Sequence, residues 1–592
     1  MTDPTQPPAR PGPVVLDGTT LTVGELIRLA DGAAVPEVAP EARERAVRSW
    51  RTAQHLAATG RLYGRGTGVG AARSVLVDEA DEAAHGLRLL RSHAGGAGSL
   101  LPARQIRAML AIRANQLLAG GSGVQPAFAD ALAEALRLGV HPAVNEYGGL
   151  GTGDLTALAQ TALTLIGERP WLSDPLPGAT EERPGGAAAT ARPAAGQPWG
   201  SGPDIAPPPG AGDGPASATP TSVGLQPAEG TRTSPAAGQA WTAGPSDGAS
   251  AAAVAVRHGE PAADQARRGA ATAGVGRLPA PVVPQAGDAL ALLSSNALAL
   301  AQAAVGWHEV DVLLRATHAV AALSLAAVSG SLEAYAEPVH ALRPYPGAAR
   351  TAAEVLRLLS GAADRPRPGD GRRVQDPFGF RVFPQVHGCA LDAADGLRRV
   401  VEVEVNCPSE NPLVTPGGTR AHHHGGFFAA PLGLALDGLN LALLGTARLS
   451  AARLTALGDA DLTGLPAYLA AGAAGSSGIM ILEYTANSAL AELRSCAAPA
   501  SAGHTVVSRG LEEAASFATQ AARQTLRAAD AHRTVLACEL VVAVRALRMH
   551  PVPPPLPALL LAGAALPADT DDRPLTADVT AATELLPLLA EL

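Results

Sequence analysis

Residues 374–392 read VQDPFGFRVFPQVHGCALD, and the region continues over residues 404–414 as EVNCPSENPLV. Taken alone, its polar side chains, Gln375, Arg381 and Asn411 among them, read as braces for loops, because a buried polar group must find a hydrogen-bond partner. The flanks are helical in pattern. Leu432, Leu436, Leu439 and Leu443 recur at steps of four, three and four, which makes one apolar stripe. Leu434, Leu441 and Leu444 are apolar too, so this helix is expected to be buried nearly all round, at the centre of a bundle or at a subunit interface. Upstream, residues 106–118, IRAMLAIRANQLL, place Arg107 and Arg113 between apolar positions as a helix would. Residues 576–592 predict a last short helix, and the Ala-Pro-rich residues 550–567 an irregular edge.

Composition divides the chain. Residues 173–284 are mostly Pro, Ala, Gly, Ser and Thr, with few large apolar residues apart from Trp199 and Trp241. Such a segment cannot bury enough surface to offset its ordering entropy, which predicts a disordered insertion in a surface loop. Four spans follow: a frayed tail over 1–13, globular sequence over 14–172, the insertion over 173–284, and a second helical part over 285–592. A chain of 592 residues is long enough to bury a large core. Its net charge of −9, with no concentrated basic stripe, argues against nucleic acid as a partner. Cys389, Cys407, Cys496 and Cys538 show no CxxC spacing, so neither a zinc site nor a disulfide framework is expected. The N-terminus lacks the basic start and apolar run of a signal peptide. The apolar run 556–566 is broken by proline and too short to span a bilayer. These features predict a cytoplasmic protein with no membrane partner.

Residues 145–160, NEYGGLGTGDLTALAQ, carry four glycines in the six positions 148–153. Glycine permits close backbone approach and positive φ, and Asp154 is placed to cap the apolar run beginning at Leu155. Residues 62–70, LYGRGTGVG, have spaced glycines but no P-loop Lys-Ser/Thr, so phosphate binding is not expected. His422, His423 and His424 are consecutive and cannot easily converge on one ion, so no metal is expected.

Taken together these stretches resemble the aromatic amino acid ammonia-lyases, the family of histidine and phenylalanine ammonia-lyases. Residues 374–392 and 404–414 are similar to the family's Val-Gln-Asp-Pro-Tyr-Ser-Leu-Arg-Cys-x-Pro-Gln-Val-x-Gly and its continuation. The glycine-rich stretch is similar to the family's Ala-Ser-Gly-Asp-Leu-Ala-Pro-Leu-Ala, where the chain cyclises on itself and loses water to make a methylidene-imidazolone electrophile. By that match, Gly151, Thr152 and Gly153 form a 4-methylidene-imidazol-5-one-type group. Threonine stands where the family has serine, which leaves a methyl on the electrophilic carbon.

The resemblance also implies roles. Tyr63, in a stretch similar to Tyr-Gly-Val-Asn-Thr-Gly-Phe-Gly, would remove the β-proton; with an unperturbed pKa of about 10, it needs neighbours that stabilise the phenolate. His93, in RSHAGGAG, falls on a histidine that helps select the substrate side chain. Arg381 would hold the substrate carboxylate, to which a guanidinium fork is suited. Gln375 and Asn411 would be polar walls, Phe378 replaces a tyrosine that lines the site, and Phe427 falls on the aromatic position beside the prosthetic group. Ser294 takes the place of an asparagine that contacts that group, with Asn296 two residues on. Glu492 matches a glutamate that handles the substrate amine or ring. Leu511 and Ala514 replace a glutamine and a histidine.

The resemblance implies a mainly α fold, a long-helix bundle of the histidine ammonia-lyase/fumarase-like type, and a homotetramer whose sites combine loops from three subunits. The expected activity is elimination of ammonia from an aromatic or histidine-like L-amino acid. Two alternatives stay open: an aminomutase, and a lyase-fold protein that makes no prosthetic group and binds a partner or eliminates by acid-base chemistry alone.

Overall fold

The computed structural model describes residues 12–59, 62–173, 277–360, 373–415 and 420–592. The disorder expected of the insertion therefore concerns residues outside the described ones. The edges of the tail and of the insertion need correction. Pro13 opens a strand, Pro13–Leu16, that pairs in parallel with Val35–Val38. Trp171–Ser173 pairs with Val140–Pro142. Residues 277–284 are docked: the Val282 amide donates to the Leu165 carbonyl at 2.9 Å, and Gln125 donates to the Val283 carbonyl at 2.9 Å.

Helices dominate, and the four small sheets among the described residues have two strands each. Three long helices run parallel. Ala297–Ala327 and Ala518–Met549 lie along each other: a Cβ added at Gly306 would come 3.1 Å from Thr525, and far along the pair Ser324 donates to Glu539 at 2.6 Å. Ala430–Leu457 starts beside Ala518 and follows the same direction, its Ser450 also reaching Glu539 at 2.5 Å. Phe383–Glu404 runs the other way, with His387 on Thr446 at 2.8 Å and Ala394 accepting from Trp307 at 2.8 Å. Ala103–Leu118 is also antiparallel to Ala297–Ala327, since Gln116 meets Ser295 and Gln105 meets Gln302. The N-termini of all three parallel helices therefore point to one end of the bundle.

The stripe Leu432, Leu436, Leu439 and Leu443 is buried, at 0–1% exposure. Within one chain the helix is not buried all round, because Leu434 and Leu441 on the other face are 64% and 59% exposed, which excludes the bundle centre and leaves the subunit interface. Two helical stretches, residues 288–327 and Ala430–Leu457, are long and apolar enough to cross a membrane, a feature the run 556–566 did not reveal; the first is 89% packed inside the protein and the second 56%. The presumed irregular edge contains a helix, Pro557–Ala565, with proline in its first turn where the missing N–H costs nothing.

One mid-bundle network pairs a buried charge. Arg453, 0% exposed, forks onto Glu539 through Nε at 2.6 Å and Nη2 at 2.9 Å, and its Nη1 donates to the Gly379 carbonyl at 3.1 Å. Each of the three guanidinium nitrogens is thus bonded, the pairing that offsets the desolvation of a buried ion pair. Glycines bring the neighbouring helix close: a Cβ at Gly388 would lie 2.3 Å from the Ala348 amide, and one at Gly347 only 2.1 Å from the Gly388 carbonyl.

Candidate active site

The glycine loop sits where the three parallel helices begin. Gly151 has φ +78° and Gly153 φ +124°, conformations that an L side chain resists. At Gly151 space also forbids a side chain, since a Cβ would lie 2.1 Å from Ser516 Oγ. The Gly149 carbonyl accepts from Gln520 at 2.9 Å, that of Leu150 from the Phe517 amide at 2.9 Å, and that of Gly151 from Ser516 Oγ at 2.8 Å. The backbone is thus stitched to the first turn of Ala518–Met549.

Asp154 makes the second attachment. It precedes Leu155–Leu165 as expected, but its side chain does not cap that helix. Its carboxylate instead accepts from the Ala299 amide at 2.8 Å and from the Thr519 hydroxyl at 3.3 Å, joining two other helix N-termini, while its own amide donates to the Ser295 carbonyl at 2.8 Å. Complete burial raises its pKa to about 6 against the opposing effect of these hydrogen bonds. Helix N-termini carry partial positive charge, so a centre placed among three of them favours negative charge on whatever occupies it.

Several sequence-selected residues gather at this end. Tyr63 Oη accepts from the Gly70 amide at 2.7 Å, and its own amide donates to His423 Nε2 at 3.4 Å. Tyr63 and Asn411 line one small cavity with Leu290 and Glu410. Asn411 Oδ1 accepts from the His424 amide at 3.0 Å, and His424 Nε2 donates to the Glu410 carbonyl at 2.9 Å, so this histidine braces the loop. Ser294 spends its hydroxyl on the Leu290 carbonyl at 2.9 Å, a local bond. Asn296 instead donates to the Phe427 carbonyl at 2.5 Å and keeps a buried Oδ1 without a partner. Of the two substitutes for the missing asparagine, Asn296 is the one with a buried polar atom left unpaired. His93 ends the helix Glu82–His93, whose Nδ1 binds the Leu89 carbonyl at 2.9 Å, and that helix packs on Leu155–Leu165. Glu492 is exposed on Met480–Cys496, at the end of that helix where Ala498 accepts from Gln524.

Arg381, Gln375 and Phe378 are elsewhere. Phe378 and Arg381 bound the short helix Phe378–Arg381, with the guanidinium 4.3 Å above the Phe378 ring and its Nε buried without a partner. This helix hangs from Arg453, and so from the Glu539–Ser324 contact. Ser324 lies about 25 residues beyond Ala299 on one helix, so Arg381 and Thr152 are on the order of 35–40 Å apart within a protomer. One chain does not bring the expected carboxylate anchor to the loop.

Sequence reading passed over Ser516, Asp154 as a joint between helices, and the buried pair Arg113–Glu410 at 2.7 Å that backs Asn411. A serine just ahead of a helical run is a recognised start signal and was available to find the first. The other two depend on tertiary contacts that no local pattern carries.

The family described as aromatic amino acid lyase matches residues 21–195 and 245–564. The chain belongs to the aromatic amino acid lyase family. Histidine ammonia-lyase of Anaeromyxobacter sp. (strain K) is 32% identical over 582 residues, covering 97% of this chain and 98% of that protein. Histidine ammonia-lyase of Geobacillus sp. (strain WCH70) is 28% identical over 579 residues, covering 97% and 96%. Among solved structures, the ergothioneine-degrading ergothionase of Treponema denticola superposes with a TM-score of 0.76 at 21% identity, covering 98% of this chain and 100% of that one. Tyrosine aminomutase of Streptomyces globisporus does so with 0.75 at 24% identity, covering 98% and 97%. At those identities the structures establish the fold, and the helical bundle is that of an aromatic amino acid lyase. Membership makes the protein a carbon–nitrogen lyase with a small-molecule amino acid substrate.

Proposed function

We propose that this lyase eliminates ammonia from an aromatic or histidine-like L-amino acid, using an electrophile made from Gly151, Thr152 and Gly153. The observation that carries the reading is the glycine loop itself: three positive-φ glycines, bonded carbonyls at 149, 150 and 151, and three helix N-termini around one threonine. The orphaned Asn296 Oδ1 beside Ser295 also fits a polar group seated there. A methylidene-imidazolone-type group at 151–153 would supply an electrophilic carbon to the substrate amine. The chain's own residues do the rest. Tyr63 takes the β-proton, and the Gly70 amide donating to its oxygen supports the phenolate that this needs. Asn296 offers its free oxygen as a hydrogen-bond acceptor, and Phe427, whose backbone it holds, supplies the apolar wall. His93 and Glu492 contact the substrate's ring or amine.

Arg381 binds the substrate carboxylate, and on this reading it comes from another copy of the chain, because its own protomer keeps it far from Thr152. A homotetramer in the cytoplasm, with sites shared between subunits, accommodates that separation and covers the exposed face of Ala430–Leu457.

A second reading rests on Thr152, whose extra methyl hinders the electrophilic carbon: elimination or binding without any prosthetic group. Peptide mass mapping across residues 147–169, followed by an ammonia-release screen beginning with histidine and tyrosine, separates the two. Loss of two water molecules from that peptide supports the proposal. A full-mass peptide overturns it and leaves the second reading.

A further inference from the structure

Ser516 is 4% exposed and has one proton to donate. That proton goes to the carbonyl oxygen of Gly151, at 2.8 Å. Its oxygen in turn accepts from the Ala518 amide, at 3.3 Å, inside the first turn of Ala518–Met549. An amide donating into a hydroxyl, at the positive end of a helix, makes that hydroxyl a better donor. Both neighbours are held as well: the Phe517 amide binds the Leu150 carbonyl at 2.9 Å, and Thr519 binds Asp154 at 3.3 Å. Only glycine at 151 lets the serine come this close, since a Cβ there would lie 2.1 Å from its oxygen.

The Gly151 carbonyl is the one a five-membered ring through residues 151–153 must use. The geometry points to Ser516 as the acid of ring closure, a catalytic residue for making the electrophile, not for consuming the amino acid. This rests on the reading that the chain cyclises. The Gly153 nitrogen attacks the Gly151 carbonyl carbon; a C–N bond forms and the π pair moves to oxygen. Ser516 gives its proton to that oxygen as the bond forms, and recovers one from the Gly153 nitrogen. The oxygen then leaves as water, taking a second proton from the Thr152 nitrogen, and a C=N bond closes the ring. Loss of the Thr152 hydroxyl with its Cα hydrogen gives the second water. No oxidant or reductant enters.

Time-resolved intact mass tests this on the full chain made by cell-free translation, with the 147–169 peptide mapped at each time. Wild type is expected to lose two waters. Ser516→Ala, folded by circular dichroism, is expected to lose them about 10²-fold more slowly, the usual effect of removing a hydrogen-bond donor from a developing oxyanion. If Ser516→Ala matures at the wild-type rate, the role of Ser516 is overturned while the prosthetic-group reading stands. If wild type itself keeps full mass, both fall. Should Ser516→Ala fail to fold, Ser516→Cys decides: its weaker donor is expected to slow maturation, and a wild-type rate overturns the proposal.

Discussion

At one end of the parallel helices Asp154 is enclosed by backbone amides and a hydroxyl, with no cation among its contacts; far along the same helices Glu539 is enclosed by Arg453, Ser324 and Ser450. Both carboxylates are essentially inaccessible to water. Burial raises Asp154 to a pKa of about 6, a cost left standing beside the glycine loop, whereas at Glu539 each oxygen meets the guanidinium and a hydroxyl. The first arrangement keeps a field of helix ends available to chemistry. The second neutralises its charges and uses a further Arg453 N–H to hold the backbone that carries Arg381.

Arg453→Ala tests the second arrangement most severely. It strands a buried glutamate and is expected to cost about 3–5 kcal/mol, read from urea denaturation. Arg453→Met combined with Glu539→Met is expected to recover most of that loss. An equal loss in the double variant would break the contrast, because the pair would then be irreplaceable packing and not a charge balance.

Acid separates the two ends next. His318 and His532 are buried neutral, their pKa values lowered by burial to about 4 and about 3. The unfolded chain binds protons at these histidines below about 6.5 and the folded one does not. Their contribution is therefore present above about 6.5 and lost as pH falls towards 4, at about 1.4 kcal/mol per pH unit for each. Asp154 has the opposite sign: its folded pKa is raised, so its contribution is present below the unfolded value of about 3.9 and lost as pH rises through 6. Denaturation midpoints at pH 7, 6 and 5 should fall with acid, and His532→Leu should flatten the slope. An unchanged slope would show that the histidines do not govern it.

Gly388→Ala presses a Cβ onto the Ala348 amide and is expected to cost about 1–3 kcal/mol in stability. If the two ends are independent, the mass of the 147–169 peptide is unaffected. Smallest is Thr152→Ser. On the prosthetic-group reading it removes the methyl from the electrophilic carbon, and kcat is expected to rise about tenfold, about 1.4 kcal/mol of barrier. An unchanged kcat would place the slow step elsewhere.

The bundle and the role of the loop were legible through the resemblance of residues 374–392, 404–414 and 145–160 to a known family, while local pattern showed only single helices and a glycine-rich turn. Apolar residues at helical spacing, and glycines where φ is positive, act on near neighbours in the chain. Leu432, Leu436, Leu439 and Leu443 were therefore readable, as were Gly151 and Gly153. The exposed Leu434 was not, because whether a second apolar face is covered is decided by partners and not by periodicity. Asp154 was readable as a cap and is in fact a joint to Ala299, 145 residues away in the chain. Asn296 in place of Ser294 could be chosen only once their hydrogen bonds were known. The distance from Arg381 to Thr152 required the direction of every helix.

That distance has a genetic consequence. If the carboxylate anchor and the glycine loop of one site belong to different copies, a lesion in either is not private to the chain that bears it. Co-expressing Arg381→Ala with Thr152→Ala, each inactive alone, is expected to restore a fraction of the activity, since some mixed assemblies hold one intact set of both. Activity that stays at zero across all mixing ratios would mean that each chain must serve itself.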